Sequence, residues 1–461
     1  MHNPFNAGVG PDSGILSPVR VNSPTESLVD DDAWVGAMVE CEAALARAQA
    51  HLGSVPRVVA DTITRVASEA HLDARKIAVA SRQTANPVVG LIAEFTEMVK
   101  GADPEAAEYV HRGSTSQDIL DTAAMLIAKR SFNQIAAELR ATADLLESFA
   151  NDHFNTLMAA RTLGVHAVPT TFRSKVRGWR KLVMDALSRV EELTAGKLPV
   201  SLGGAAGTLA GYIEFARLAN VPLASDPEAY VRALSGSFAR EVGLAPSAPS
   251  WHALRTPIAD IAAVACFVTG ALGKIAVDII TLSRSEIGEV AEPGGEGHGA
   301  SSAMPHKRNP AGAAMIRSAA LQVPAFATVL QAGMLAADER DAGTWHAEWL
   351  PFREILRLAG GASYTTLHLL EGLQVYPERM QANLDSSSSI MLTERLAIEL
   401  TKTLGKQEAR SLVTRLSSRS RDSNRVLLDV VREDATVMQT ISDDRLTALF
   451  DPHTYLGVAD R

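Results

Sequence analysis

At 461 residues the chain is longer than one hydrophobic core usually serves, so two or three domains, or one long helical bundle with caps, is expected. A net charge of -9 and a pI near 5.8 argue against a nucleic-acid or membrane-surface partner and suit an enzyme of small acids. The two cysteines, Cys41 and Cys266, lie in apolar stretches and read as core residues in a reducing compartment, not as a disulfide framework.

The opening MHNPFNAGVGPDSG has neither the basic start nor the apolar centre of a signal peptide. The first predicted helix is DDDAWVGAMVECEAALARAQAHLG, which starts on aspartates, places Trp34, Met38, Cys41, Leu45 and Ala48 on one face, and stops at Gly53. From Ser116 to about residue 160 the helical pattern runs on without a proline. Further long helices are predicted over about 170–197, 257–290 and 310–338, the last bent at Pro324. The run IADIAAVACFVTGALGKIAVDII is apolar nearly all round and must be covered on every side, which implies a central bundle. Its most apolar part, Ile261 to Gly273, is bounded by Asp260 and Lys274 short of the roughly 18 residues a membrane span needs, so a cytoplasmic protein without a membrane partner is expected. Strand patterns are scarce, with short candidates only near LPVSLGG. A coarse division is an N-terminal helical domain over 1–112, a central long-helix bundle over 113–360 and a C-terminal helical domain over 361–461.

Three polar segments interrupt these helices. In VHRGSTSQDILDTA, residues Ser114 to Asp118 begin a helix. They suit an N-cap and, equally, an anion site, because hydroxyls and free N–H groups at a positive helix end attract a carboxylate. In AARTLGVHAVPTTF stand Arg161, Thr162 and His166. A lone histidine there is either a core or surface residue or a proton carrier. In GASSAMPHKRNP, two serines, a His-Lys-Arg run and an Asn-Pro follow a glycine-rich approach containing Gly294, Gly295, Gly297 and Gly299. HAEW at 346–349 lacks the paired histidines of a zinc helix, and no Walker or dinucleotide fingerprint occurs.

In this order, the three segments resemble the fumarase/aspartase superfamily, with SSAMPHKRNP similar to its signature loop. SLGGAAGTLA, GEVAEP, WHAEW and LFDPHTYLG extend the likeness to its 3-carboxy-cis,cis-muconate cycloisomerase branch over nearly the whole chain. The resemblance implies an all-α fold: an elongated bundle of long helices with helical N- and C-terminal domains. It also implies a homotetrameric helical core, active sites shared between three subunits, a small dicarboxylate substrate, and no metal or cofactor.

It further implies the chemistry. Ser301, as an oxyanion, removes a proton beside a carboxylate, and Ser302 is the alternative base. Lys307 and Asn309 hold the substrate carboxylate, while Thr115, Ser116 and Thr162 donate hydroxyls to the carboxylates. Backbone N–H groups and a nearby cation are needed to make a serine hydroxyl acidic enough, and the glycine run lets the loop act as a lid. His166 is the candidate acid.

Several positions depart from that pattern. The histidine usual two residues after the arginine of the second segment is Leu163, and the usual glutamine is Val165. The cycloisomerase His-Glu-Arg becomes Asp338-Glu339-Arg340, the glycine after TTF becomes Arg173, and the glycine before the double serine becomes Ala300. A missing acid points to a leaving group that needs little protonation. The expected reaction is therefore β-elimination from a substituted succinate, with nitrosuccinate to fumarate plus nitrite as the best candidate and Arg20 or Arg340 meeting a carboxylate or nitro oxygen. Cycloisomerisation to a lactone is the alternative, and an inactive structural scaffold is the alternative of another class.

Overall fold

Asp30 accepts the N–H of Ala33 at 2.8 Å and so begins helix α1 (Asp31–His51), a sequence-encoded N-cap. The computed structural model to which it belongs describes residues 12–459 apart from 248, 295–298, 302 and 305. The predicted face of α1 is the buried one: Trp34, Met38, Cys41, Leu45 and Ala48 all lie in the core. Helices α2 (Arg57–Glu69), α3 (Ala74–Thr84), α4 (Pro87–Ala102) and the single turn α5 (Pro104–Ala107) complete the first part.

Long helices follow, as predicted, but with a difference. Helix α6 spans Ser116–Asp152, ending before residue 160, and α7 spans Phe172–Gly196. Between them the chain forms an antiparallel hairpin of β1 (Leu157–Thr162) and β2 (Val165–Thr171), so that strand replaces helix up to about residue 160 and the polar segment that follows is its turn and second strand. Strand propensity is decided here by packing: Leu157, Met158 and Ala159 are buried, with Leu157 and Ala159 clustered against Leu384 and Met391. The segment near LPVSLGG, by contrast, contributes only an isolated bridge between Pro199 and Ala245.

Helices α8 (Ala210–Leu218) and α9 (Pro227–Val242) precede α10 (Thr256–Leu282), α11 (Ala311–Ala332, with Pro324 inside) and α12 (Thr344–Glu371). Strands β3 (Val290–Ala291) and β4 (Gln374–Val375) pair antiparallel. The stretch between Asp260 and Lys274 is the middle of a longer helix, since α10 continues past both. Thr256–Leu282 and Ala311–Leu335 are each long and apolar enough to cross a membrane by length and composition alone.

Two compact units result. One holds the chain up to Ala141, Val183–Lys274 and Ala314–His368; the other holds Thr142–Leu182, Ile275–Ala313 and the chain from Leu369. They alternate along the sequence because α6, α7, α10, α11 and α12 each run from one into the other. In the second unit, α13 (Pro377–Asp385) and the turn α14 (Ser388–Met391) lead to α15 (Thr393–Leu404) and α16 (Lys406–Ser423). The short helices α17 (Leu427–Arg432), α18 (Ala435–Thr440) and α19 (Asp443–Leu449) close a core built on Leu396, Leu400, Leu412, Val430 and Leu446.

Candidate active site

The signature loop is pinched shut at its base. Ala300 and Arg308 form an isolated antiparallel bridge, and the backbone and side-chain N–H groups of Asn309 donate to the Gly299 carbonyl at 2.8 and 3.2 Å. Gly299 has φ +62°, and a Cβ there would collide with the Asn309 carbonyl, so only glycine fits. Within the loop, Ser301 is half-buried and its Oγ accepts the Met304 N–H at 3.2 Å. A donor aimed at that oxygen favours its anionic form. Lys307 is exposed, and its N–H donates to the Met304 carbonyl at 3.0 Å. Ser302, Gly295 and Gly297 lie outside the described residues.

Helix α11 starts directly after this loop, at Ala311, one residue later than the proline that was expected to open it. Glu292 already fills its N-terminus, accepting from Gly312 N–H at 2.9 Å and Ala313 N–H at 2.7 Å. The helix end therefore carries an anion of the protein itself.

The second segment is the β1/β2 hairpin. Arg161 and His166 are register partners, as are Thr162 and Val165. Leu163 and Gly164, with φ +51° and +86°, form the turn. Arg161 donates both Nη atoms to fully buried Glu289, at 3.0 and 2.7 Å, and Asn383 donates to the same carboxylate at 2.8 Å. His166 Nδ1 lies 3.1 Å from Ser387 Oγ. Burial, reinforced by the Arg161 charge, holds the His166 pKa below its ordinary value, so the ring is neutral near pH 7. As an acid it would act from a minority form. Thr162 is exposed at the edge of the turn. Arg173 lies over the Phe154 ring at 4.3 Å, and its buried Nε and Nη1 have no hydrogen-bond partner among the described residues.

The first segment belongs to the other unit and is organised by Asp118. This fully buried carboxylate accepts from Gly203 N–H (2.7 Å), Gly204 N–H (3.1 Å) and Tyr212 Oη (2.9 Å), and lies 2.9 Å from His252 Nε2. It also takes the Thr115 N–H at 3.1 Å, the return half of a capping box. Asp118 thus fixes the helix start that carries Thr115 and Ser116, whose half-buried hydroxyls make no hydrogen bond among the described residues. Arg340 comes to the same place, donating from Nε to Gln117 Oε1 at 2.7 Å. The Gln117 amide in turn donates to Asp121, which Arg255 and Trp345 also bind; Arg255 pairs at 2.6 Å with both Asp121 and Glu348, so WHAEW holds a buried ion-pair network.

Arg20 is placed differently. It is buried and spends its guanidinium on Asp12 (2.6 Å) and Glu26 (2.7 Å), a partner set belonging to its own segment. The structure thus gathers Ser301, Lys307 and Asn309 in one loop, Thr162 and His166 on one hairpin, and Thr115, Ser116 and Arg340 around one helix start. Sequence reading did not single out Glu289, Asn383, Tyr212 or His252, and it took Asp118 for part of the polar run. Among the described residues, no group of three or more His, Cys, Asp or Glu is placed to hold a metal ion.

This helical scaffold with its serine-bearing loop is that of a lyase. A family profile described as "Lyase" matches residues 17–325, and one described as "Adenylosuccinate lyase C-terminus" matches residues 389–461. The chain belongs to the fumarase/aspartase superfamily of lyases. It is 53% identical to nitrosuccinate lyase of Streptomyces davaonensis over 97% of this chain and 93% of that one. It is 34% identical to 3-carboxy-cis,cis-muconate cycloisomerase of Bradyrhizobium diazoefficiens over 97% and 96%. The solved 3-carboxy-cis,cis-muconate lactonizing enzyme of Pseudomonas putida superposes with a TM-score of 0.86 at 32% identity, over 97% of this chain and 96% of that one.

Proposed function

We propose that the chain eliminates nitrite from nitrosuccinate to give fumarate. The observation that carries this reading is the 53% identity to a nitrosuccinate lyase along 97% of the chain, against 34% to a cycloisomerase of equal coverage. The hairpin agrees with it: Leu163 and Val165 present no proton donor, and nitrite departs as a stable anion that needs none.

In this reading Ser301 Oγ, as the anion, takes a proton from the carbon beside a carboxylate. The C–H electron pair passes into that carboxylate as an enediolate, then returns to form the C=C bond. The C–N bonding pair leaves with nitrite, so nitrosuccinate becomes fumarate, nitrite and one proton held by the serine. Lys307 balances the charge that grows on the carboxylate. Thr115, Ser116 and Thr162 offer hydroxyls to the carboxylates, with Arg340 beside the first two. Asn309 keeps the loop closed behind Ser301.

The assembly is proposed to be a cytoplasmic homotetramer with sites shared between subunits. The most apolar windows of Thr256–Leu282 and Ala311–Leu335, with mean hydropathy 1.9 and 1.4, are only 50% and 33% buried within one chain. Faces that apolar are covered in a helical core by other copies. Light scattering should return four times the 49.0 kDa chain mass.

The deciding assay offers the purified protein nitrosuccinate and, separately, 3-carboxy-cis,cis-muconate. Nitrite and fumarate in the first with no lactone in the second supports the proposal. Lactone without nitrite assigns cycloisomerisation instead and removes it.

A further inference from the structure

Arg340 differs from the other arginines of the site in what holds it. Arg161 and Arg255 are each bound by carboxylates. Arg340 donates instead to two neutral acceptors, from Nε to Gln117 Oε1 at 2.7 Å and from Nη2 to the Gly204 carbonyl at 3.5 Å. Carboxylates are at hand, since Asp338, Glu339 and Asp341 all lie within two residues of it. Asp338 and Glu339 are exposed, and Asp341 spends its oxygens on the Ala337 and Thr344 N–H groups at 2.7 and 3.1 Å. Among the described residues Arg340 forms no ion pair, so its charge stays uncompensated.

Gln117 can hold an arginine without neutralising it. The residue is fully buried, and its amide nitrogen faces two acceptors, Asp121 Oδ2 at 3.1 Å and the His252 carbonyl at 3.0 Å. An amide so held turns its oxygen to Arg340. Asp121 is itself paired with Arg255 at 2.6 Å, so no free carboxylate stands behind the amide. With Nε fixed, the guanidinium keeps Nη1 and one hydrogen of Nη2 for another partner, the end-on pair that matches a carboxylate. Gln117 directly follows Thr115 and Ser116, so the fork is tied to the same helix start as their unpartnered hydroxyls.

We propose that Gln117 is a positioning residue: it holds Arg340 as an unneutralised cation, and that charge binds one anionic group of the substrate. The inference rests on the elimination proposed above, whose substrate carries more than one such group. A carboxylate in place of Gln117 would grip the guanidinium as firmly but spend its charge, whereas a neutral amide leaves the charge for the ligand. A cation set in place before substrate arrives acts on substrate and transition state alike, so its loss is read in KM more than in kcat.

The test uses the assembled full-length protein, with succinate, a dicarboxylate that has no leaving group, as the calorimetric binding probe and nitrosuccinate as the substrate. Arg340→Met and Gln117→Met are each expected to weaken succinate binding and raise KM by at least about tenfold, with kcat lowered by less than KM rises. The double variant should bind succinate within about threefold of Arg340→Met alone, because Gln117 acts through Arg340. Losses that multiply in the double variant would make Gln117 a structural residue only and overturn the positioning. Should Gln117→Met not assemble, Gln117→Asn, which keeps a buried amide but is a methylene too short to reach Arg340, takes its place in the same cycle. Wild-type affinity in Arg340→Met, or no succinate binding by the wild type, overturns the anion site. Wild type that binds succinate yet releases no nitrite removes the elimination and leaves the Arg340 site standing.

Discussion

Glu289 and Glu292, flanking the two-residue strand β3, hold two different parts of the candidate site. Glu289 takes both Nη atoms of Arg161 and so fixes the hairpin, while Glu292 takes the N–H groups of Gly312 and Ala313 and so starts the helix behind the serine loop. The GEVAEP segment therefore sets the hairpin and the loop in register through one short piece of backbone.

The two glutamates should fail differently. Glu289→Gln leaves a largely buried guanidinium without its counter-charge, which costs about 3 kcal/mol. Glu292→Gln weakens a helix cap, which costs about 1 kcal/mol. Urea titration of the two variants reads the difference, and equal losses would mean that Arg161 finds another partner.

Gly299→Ala should damage catalysis more than stability. The added methyl meets the Asn309 carbonyl in a backbone conformation that alanine resists, so the base of the loop must open. Turnover is expected to fall at least about tenfold with little change in Tm, because the loop contributes little to the core. Unchanged turnover would show that the pinch at Gly299 and Asn309 does not position Ser301.

Ser301→Ala should lower turnover by at least about 100-fold while assembly is retained. Full activity in this variant would remove Ser301 as the base, and an inactive wild type of correct assembly would favour the structural-scaffold alternative.

Stability should fall as pH rises through a defined window. Burial on α6 pushes the Glu138 carboxyl from its ordinary 4.5 up to about 7, even though Gln134 donates to it at 2.9 Å. Between these values the unfolded chain has lost the proton and the folded chain keeps it, so stability is highest below about pH 4.5 and declines until about pH 7, on the order of 2–3 kcal/mol from this group. Glu138→Gln removes that contribution. Thermal melts at pH 5.5 and 8 should differ less in the variant than in the wild type, and identical differences would assign the pH dependence elsewhere.

The long helices were legible because their apolar residues recur at the helical period, as the buried face of α1 shows with Trp34, Met38, Cys41 and Leu45. The hairpin was not legible. LMAARTLGVHAVPTT carries helix-forming alanines and an arginine, and its turn is made by a leucine where the usual signal is asparagine. The serine loop was readable as a motif, but not the use of Asn309 to close it. Glu289 stands 128 residues from Arg161, and no local pattern links residues so far apart. Asp118 carried a weak signal, three residues after Thr115 at a helix start, which reads as a capping box; its ties to Gly203, Tyr212 and His252 exist only in the folded chain.

The hairpin divides its duties along its length. Its root carries the buried contacts and ion pair, whereas the side chains of residues 163 and 165 contribute little to the folding of their own chain. Substitutions at these two positions should therefore spend almost none of the narrow stability margin that limits enzyme evolution. A library randomised at Leu163 and Val165 alone would vary the tip of the hairpin widely while the fold stays put. The tip is thus the part of the hairpin where the sequence can change most at least cost to the chain that carries it.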